Sequence, residues 1–281
     1  MKHYLSPLKL LSFALAAMLC LLAVPLLSGC AVPYTKGLEF TPMDSDPTAC
    51  SVSGIGTAEG GDLRIPPTSP GGMRVVAVEP FAFLNNTSIT SVTLPDSVHT
   101  VGAYAFAGCE GLTEVYFGEE LLEVGDFAFE GCLSLSRFTS FGRTKDLTLS
   151  FALSATETLE IRRNLLIFPA KTQKIGDGAF AGCESLDGVL VLADKVEYLG
   201  SMAFAGTKLP YAYLYPSVTK VGEDVFYEVD QLLIGTSLTA APKEWSTRFH
   251  AVGSAAVGEV AWGVSFQAFV QTVAQRIGIY G

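Results

Sequence analysis

Three cysteines occupy the same place in a recurring frame. Cys109, Cys132 and Cys183 each follow an Ala-Phe pair by three residues, in "AFAGC", "AFEGC" and "AFAGC". A thiol repeated in this way could serve as a nucleophile, a soft metal ligand or half of a disulfide. Other units of the chain carry Asn86, Thr207 and Val229 at that offset. A nucleophile or ligand exchanged for Val loses its chemistry, whereas an inward packing position accepts all of these small side chains. The cysteines therefore read as structural. A bridge between Cys109 and Cys132, one repeat apart, stays open in an exported chain. Cys50 has no evident partner.

Other reactive types are sparse. Of the histidines, His3 lies in the N-terminal apolar region, and His99 falls in a turn where a solvated side chain is expected. No Gly-x-Ser-x-Gly, His-Glu-x-x-His, Walker loop or Cys-x-x-Cys pattern occurs. The Gly-rich "GIGTAEGG" (54–61) has no helix after it to hold a phosphate. Acids such as Glu119, Glu120 and Asp126 sit at turns, with nothing to fix two of them across a cleft. The expectation is no catalytic residue, no metal and no cofactor.

Cys30 belongs to a different context. Lys2 and Lys9 precede an apolar run that ends in "LLSGC". That order is the form of an export signal, and Leu27-Ser28-Gly29-Cys30 resembles the bacterial lipobox. The resemblance implies cleavage after Gly29 and a diacylglycerol on the Cys30 thiol. The alternative is an uncleaved membrane anchor, since 10–27 is close to the ~18 apolar residues that span a bilayer. Either way the rest lies outside the cytoplasm, tethered to the bacterial membrane through its N-terminus.

Composition narrows the partners. The chain is 49% hydrophobic and 16% charged, enough for a large core. Beyond residue 29 it holds 16 basic against 28 acidic residues, which repels nucleic acid and anionic lipid.

The elements that hold these residues are repeats. Phe83, Phe106 and Phe129 are 23 residues apart, and Phe180, Phe204 and Phe226 follow at gaps of 24 and 22. Pairs at spacing two (Val92/Leu94, Val115/Phe117, Val189/Val191, Ala212/Leu214) have the period of a short strand with one buried face. The Gly after Val or Ile suits a tight bend. A unit this short cannot bury a core alone, so neighbours must stack. The predicted fold is a β-rich solenoid of about six or seven units, roughly 30 Å long at ~4.8 Å per strand.

The segment "ITSVTLPDSVHTVGAYAFAGC" (Ile89 to Cys109) resembles the BspA-like leucine-rich repeats of bacterial surface proteins. Their pattern runs Leu-x-x-Val-x-Leu-Pro, then Ile-Gly-x-x-Ala-Phe-x-x-Cys. The likeness spans roughly Cys50 to Gly263, including an opening segment and a terminal unit. It implies a leucine-rich-repeat-like array with a C-terminal cap and an adhesive role. One interval departs from it: 51 residues separate Phe129 from Phe180 with no Ala-Phe between. There the reading is a degenerate repeat with an insertion.

The organisation read from the chain is a signal peptide at 1–29, a lipid-attachment Cys with flexible linker at 30–48, the solenoid at 49–252 and a cap at 253–281. In the cap, Phe266, Phe269, Val270, Val273 and Ile277 fall at helical spacing, which predicts an amphipathic helix closing the open end. Strand parity places Glu114, Tyr116, Arg137, Thr139, Tyr211, Tyr213 and Tyr215 outward, as a face for a partner, with lipidation at Cys30. Tyr and Arg favour hot spots, although strand propensity alone also favours Tyr and Thr. The expected function is non-enzymatic adhesion to a protein or extracellular-matrix partner. A glycan-binding module and an envelope enzyme built at 140–165 are the alternatives.

Overall fold

The computed structural model describes residues 33–140, 149–152, 158–161, 165–229, 232–248, 251–252, 256–257 and 259–276. Within them the chain winds as a β-solenoid of about eight turns. One wall is an eight-stranded sheet running from Glu39–Met43 and Asp46–Gly54 through two-residue rungs such as Thr100–Val101 and Glu123–Val124 to Lys220–Val221. All pairings are parallel except the first, where Glu39–Met43 lies antiparallel on Asp46–Gly54. Strand pairing thus begins at Glu39, inside the stretch that sequence assigned to a flexible linker. Pro42 breaks that edge strand's donor row, a device that discourages further pairing.

The opposite wall, the face, is two parallel sheets. Gly61–Arg64, Ile89–Thr93, Glu114–Tyr116 and Arg137–Thr139 form the first. Leu165–Ile167, Val189–Val191, Tyr211–Leu214, Leu233–Thr236 and Glu259–Ala261 form the second.

Between the walls the repeat Phe rings make one stack. Successive centroids from Phe83 through Phe106, Phe129, Phe180 and Phe204 to Phe226 are 5.0, 5.2, 5.2, 5.3 and 5.9 Å apart, with planes within 13°. Each ring is buried, so the column expected from the 23-residue spacing is present. The recurring Gly has a different cause from the expected bend. A Cβ on Gly125 would lie 2.8 Å from the backbone N of Ala103, and Gly102, Gly176, Gly200 and Gly222 likewise face the backbone of the preceding coil. Glycine there lets one coil approach the next.

The irregular interval is not an extra coil. Lys174–Ile175 pairs directly with Glu123–Val124, and Phe180 stacks on Phe129, so the long sheet and the ring column pass over the 51 residues without a break. The chain leaves after Arg137–Thr139 and re-enters at Leu165–Ile167 beside it. The face thereby gains a strand that the opposite wall lacks. Between the two, Leu149–Ala152 and Thr158–Ile161 pair as an antiparallel hairpin. Where face and wall mismatch, the rings of Phe117, Phe138, Phe168 and Phe180 converge. Phe138 lies 4.6 Å from Phe168 and 5.0 Å from Phe180, and Phe117 lies 5.9 Å from Phe168. Other coils place Val92, Leu190 or Ala212 where Phe138 stands. The added ring volume fills the wedge.

The C-terminal helix exists as predicted in type, as α1 (Phe266–Arg276). It does not close the end of the array. Instead α1 lies across the second half of the face, with Phe269, Val270 and Val273 packed on Val189, Val191, Tyr211, Tyr213 and Leu233. Ser265 caps it, its Oγ accepting the Ala268 N–H at 3.2 Å.

Candidate functional site

Helix α1 divides the face into two regions of different chemistry. Under the helix the outward positions are apolar: Val189, Val191, Tyr211, Tyr213, Leu233 and Gly235. Outside it they are polar, and register arranges them in two rows. Asp62, Ser91, Glu114 and Arg137 are successive partners, as are Arg64, Thr93, Tyr116 and Thr139. Cross-strand neighbours on one face are close enough to interact.

Within the polar strip the side chains are tied to one another. Arg64 Nε donates to Asp62 Oδ2 at 2.8 Å, and Ser91 Oγ donates to Asp62 Oδ1 at 2.6 Å. The Tyr116 hydroxyl donates to Glu114 Oε2 at 2.5 Å. Burial first, and then this bond to a carboxylate, push the Tyr116 phenol up to about 12. Among the described residues, Arg64 Nη2 and Thr93 Oγ1 are buried without a hydrogen-bond partner, one beside the other in register. These carboxylates are engaged by hydroxyl and guanidinium donors of the same strip.

Register keeps Glu114, Tyr116, Arg137, Thr139, Tyr211 and Tyr213 at outward strand positions, but they are not exposed alike. Glu114 and Arg137 are half-buried. Tyr116 and Thr139 are 9% and 8% exposed. Tyr211 and Tyr213, expected in solvent, are buried because α1 lies on them. The Tyr213 hydroxyl donates to the Val264 carbonyl at 3.1 Å, and its ring meets Phe266 and Phe269 at 5.0 and 5.4 Å. Tyr215 is half-buried at the helix edge, and burial pushes its phenol up to about 12. Two groups of residues named together thus fall apart: Glu114, Tyr116, Arg137 and Thr139 share the polar strip, while the three later tyrosines line the helix seat. The signal that separates them was the polarity of the strand partners, polar before residue 140 and apolar after 188.

Sequence reasoning missed a second surface. Phe81, Tyr104 and Phe127, each two residues before a repeat Phe, stack outside the core at 5.3 and 4.9 Å. Their backbones are left-handed, with φ of 62°, 56° and 56°. That conformation is uncommon for bulky residues. Tyr104 has a ring on each face, Phe81 and Phe127 on one.

The described cysteines, Cys50, Cys109, Cys132 and Cys183, are free and buried. Cys109, Cys132 and Cys183 donate from Sγ to the carbonyls of Phe83, Phe106 and Phe129 at 3.2, 3.1 and 3.1 Å, so each thiol pins its coil to the one before. Burial pushes Cys109 up to about 12. Cys132 is raised by its contact with the Cys183 thiol and then by burial. At neutral pH Cys109 and Cys132 therefore keep their protons, the poorly nucleophilic form. The Gly-rich loop runs into the strand Gly61–Arg64, and its N–H groups at Thr57, Ala58 and Gly61 already bond Gly37, Ile55 and Ser88. Among the described residues no group of three His, Cys, Asp or Glu is placed to hold a metal. Cys30 and most of 140–165 lie outside the described residues.

No curated protein matches the chain. Among solved structures, a T. pallidum leucine rich repeat protein shares 22% identity over 89% of this chain and 96% of its own, with a TM-score of 0.57. A Bacteroides capillosus leucine-rich repeat protein shares 21% over 57% of this chain and 99% of its own, at 0.39. One from Bacteroides ovatus shares 17% over 83% and 71%, at 0.37. The first of these shares the fold. The sequence pattern described as the BspA type Leucine rich repeat region matches in six copies over residues 76–165 and 163–240, more than half of the chain. With the stacked Phe column and the parallel rungs, that match makes the chain a member of the BspA-type leucine-rich-repeat family.

Proposed function

We propose that the protein is a non-enzymatic repeat module, exported and lipid-anchored through Cys30 to the outside of a bacterial membrane, that binds a protein or matrix partner through the polar half of its face. The observation that supports this reading is the division of the face. The chain covers its own apolar strip with α1 and leaves the rows from Asp62 to Arg137 and from Arg64 to Thr139 outside the helix. Repeat proteins commonly bind along such a surface. The tied carboxylates and guanidinium groups suit a polar partner of mixed charge.

The test is adhesion of intact cells displaying the full chain to immobilised matrix proteins and to polysaccharides. Charge reversal at Glu114→Lys or Arg137→Glu is expected to lower capture about thirtyfold each, the loss at which a residue counts as a hot spot. Unchanged capture removes the polar strip as the binding surface, and capture on polysaccharide alone would favour the glycan-binding reading.

A further inference from the structure

The folded solenoid begins much closer to Cys30 than a spacer reaching residue 48 would allow. Thr35 N–H donates to the Arg64 carbonyl at 3.0 Å, and Thr35 Oγ1 accepts the Arg64 N–H at 2.8 Å. These two bonds seat the chain on the first face strand. Two residues on, the Gly37 carbonyl accepts the Thr57 N–H at 2.9 Å, and Leu38 is 7% exposed in the core. Glu39–Met43 then pairs with Asp46–Gly54. From Thr35 onward the backbone is therefore fixed to the first coil, and five residues lead back to Cys30. Five residues span at most about 18 Å even when fully extended.

We infer that the first coil is held at the phospholipid headgroup layer of the protein's own membrane, on a leash too short to act as a tether with reach. The inference rests on lipidation of Cys30. It goes further by stating where the anchor leaves the binding face. Arg64, at one end of the polar strip, receives the leash directly. Thr139, at the other end, is three rungs further along, about 14 Å at the usual strand spacing. Counting the step from Thr35 to Arg64 as well, the whole strip then lies within about 37 Å of Cys30. A partner is therefore met close to the membrane surface and not at a distance from the cell.

The attachment does not draw on charge. The first coil carries Lys36, Arg64 and Arg74 against Glu39, Asp44, Asp46, Glu59 and Asp62, more acids than bases, so anionic headgroups do not attract it. Chain length alone keeps it there.

The experiment uses the full chain, processed and lipidated, in liposomes of zwitterionic phospholipid containing headgroup spin-labelled lipid. A fluorophore is placed at Glu59→Cys, exposed on the first coil, where the native thiols at Cys50, Cys109, Cys132 and Cys183 are buried from the reagent. Strong quenching is expected. Insertion of 30 Gly/Ser residues after Ala31 raises the root-mean-square reach to about 33 Å and should weaken quenching several-fold. Quenching that is already weak, or that the insertion leaves unchanged, overturns the short leash. The mass of the N-terminal peptide is read in the same samples. Absence of a diacylglycerol on Cys30 overturns the anchoring itself, a failure separate from that of the leash.

Discussion

At Cys109, Cys132 and Cys183 the thiol is a small donor aimed at the carbonyl one coil earlier, and the same offset holds Thr207 and Val229. Thr207 bonds the Phe204 carbonyl of its own coil at 2.8 Å, and Val229 makes no such bond possible, yet both are buried. Cys132→Val should therefore cost no more than about 1.5 kcal/mol in chemical denaturation. A larger loss would mean that the thiol does more than fill and pin. Gly235 is the opposite case. A Cβ there would drive into the Phe269 ring, which sits where the strands before it present Val191 and Tyr213. Gly235→Ala is expected to loosen α1 at a cost of about 1–3 kcal/mol, seen as faster amide exchange over 266–276 with the ring column unaffected. The titrating groups set an alkaline limit. Tyr116, Tyr198 and Tyr215 are raised from 10.0, and Cys109 from 9.0, all to about 12. A raised folded-state value means that stability is fully present below the ordinary value and is lost as pH climbs through the folded one. Melting temperature should hold to about pH 9 and fall between pH 10 and 12. A flat profile through pH 12 would contradict the burial of these groups.

Among the elements, the wedge and the helix seat carry the departures from a uniform array. The extra face strand Leu165–Ile167 needs volume behind it, which Phe138 and Phe168 supply at 4.6 Å from each other. Phe138→Ala should cost about 3–5 kcal/mol, since the mismatch prevents the walls from collapsing onto the cavity. Phe138→Leu, close to the residue type of other coils, should recover most of it. Equal stability of the alanine variant would show that the wedge closes without aromatic filling. The interval between Thr139 and Leu165 contains the hairpin of Leu149–Ala152 and Thr158–Ile161, and the opposite wall passes the interval by.

For the whole molecule, stacking makes stability local to neighbouring coils. Removal of residues 266–281 uncovers Val189, Val191, Tyr211, Tyr213 and Leu233 together. The truncated chain is expected to bind a hydrophobic dye or self-associate, while amide protection of the coils before residue 140 stays within the range of the intact chain. Protection lost evenly from both halves would mean that the array unfolds as one unit.

The sequence by itself determined the coil. The 23-residue period, the Val-x-Leu pairs, the Ala-Phe and the exchangeable Cys position follow from short-range spacing, because each coil repeats the same local burial. It also determined the existence of the helix, whose apolar residues recur every three or four positions. Only the tertiary structure decided what lies on what. Tyr211 and Tyr213 have the same outward parity as Tyr116, and no local pattern says that a helix from residue 266 returns to cover two of the three. The extra face strand, the cause of the repeat Gly and the start of folding at Thr35 were hidden for the same reason. Each depends on contacts between coils or across many coils, and parity fixes only the side of a strand, not what comes to rest against it.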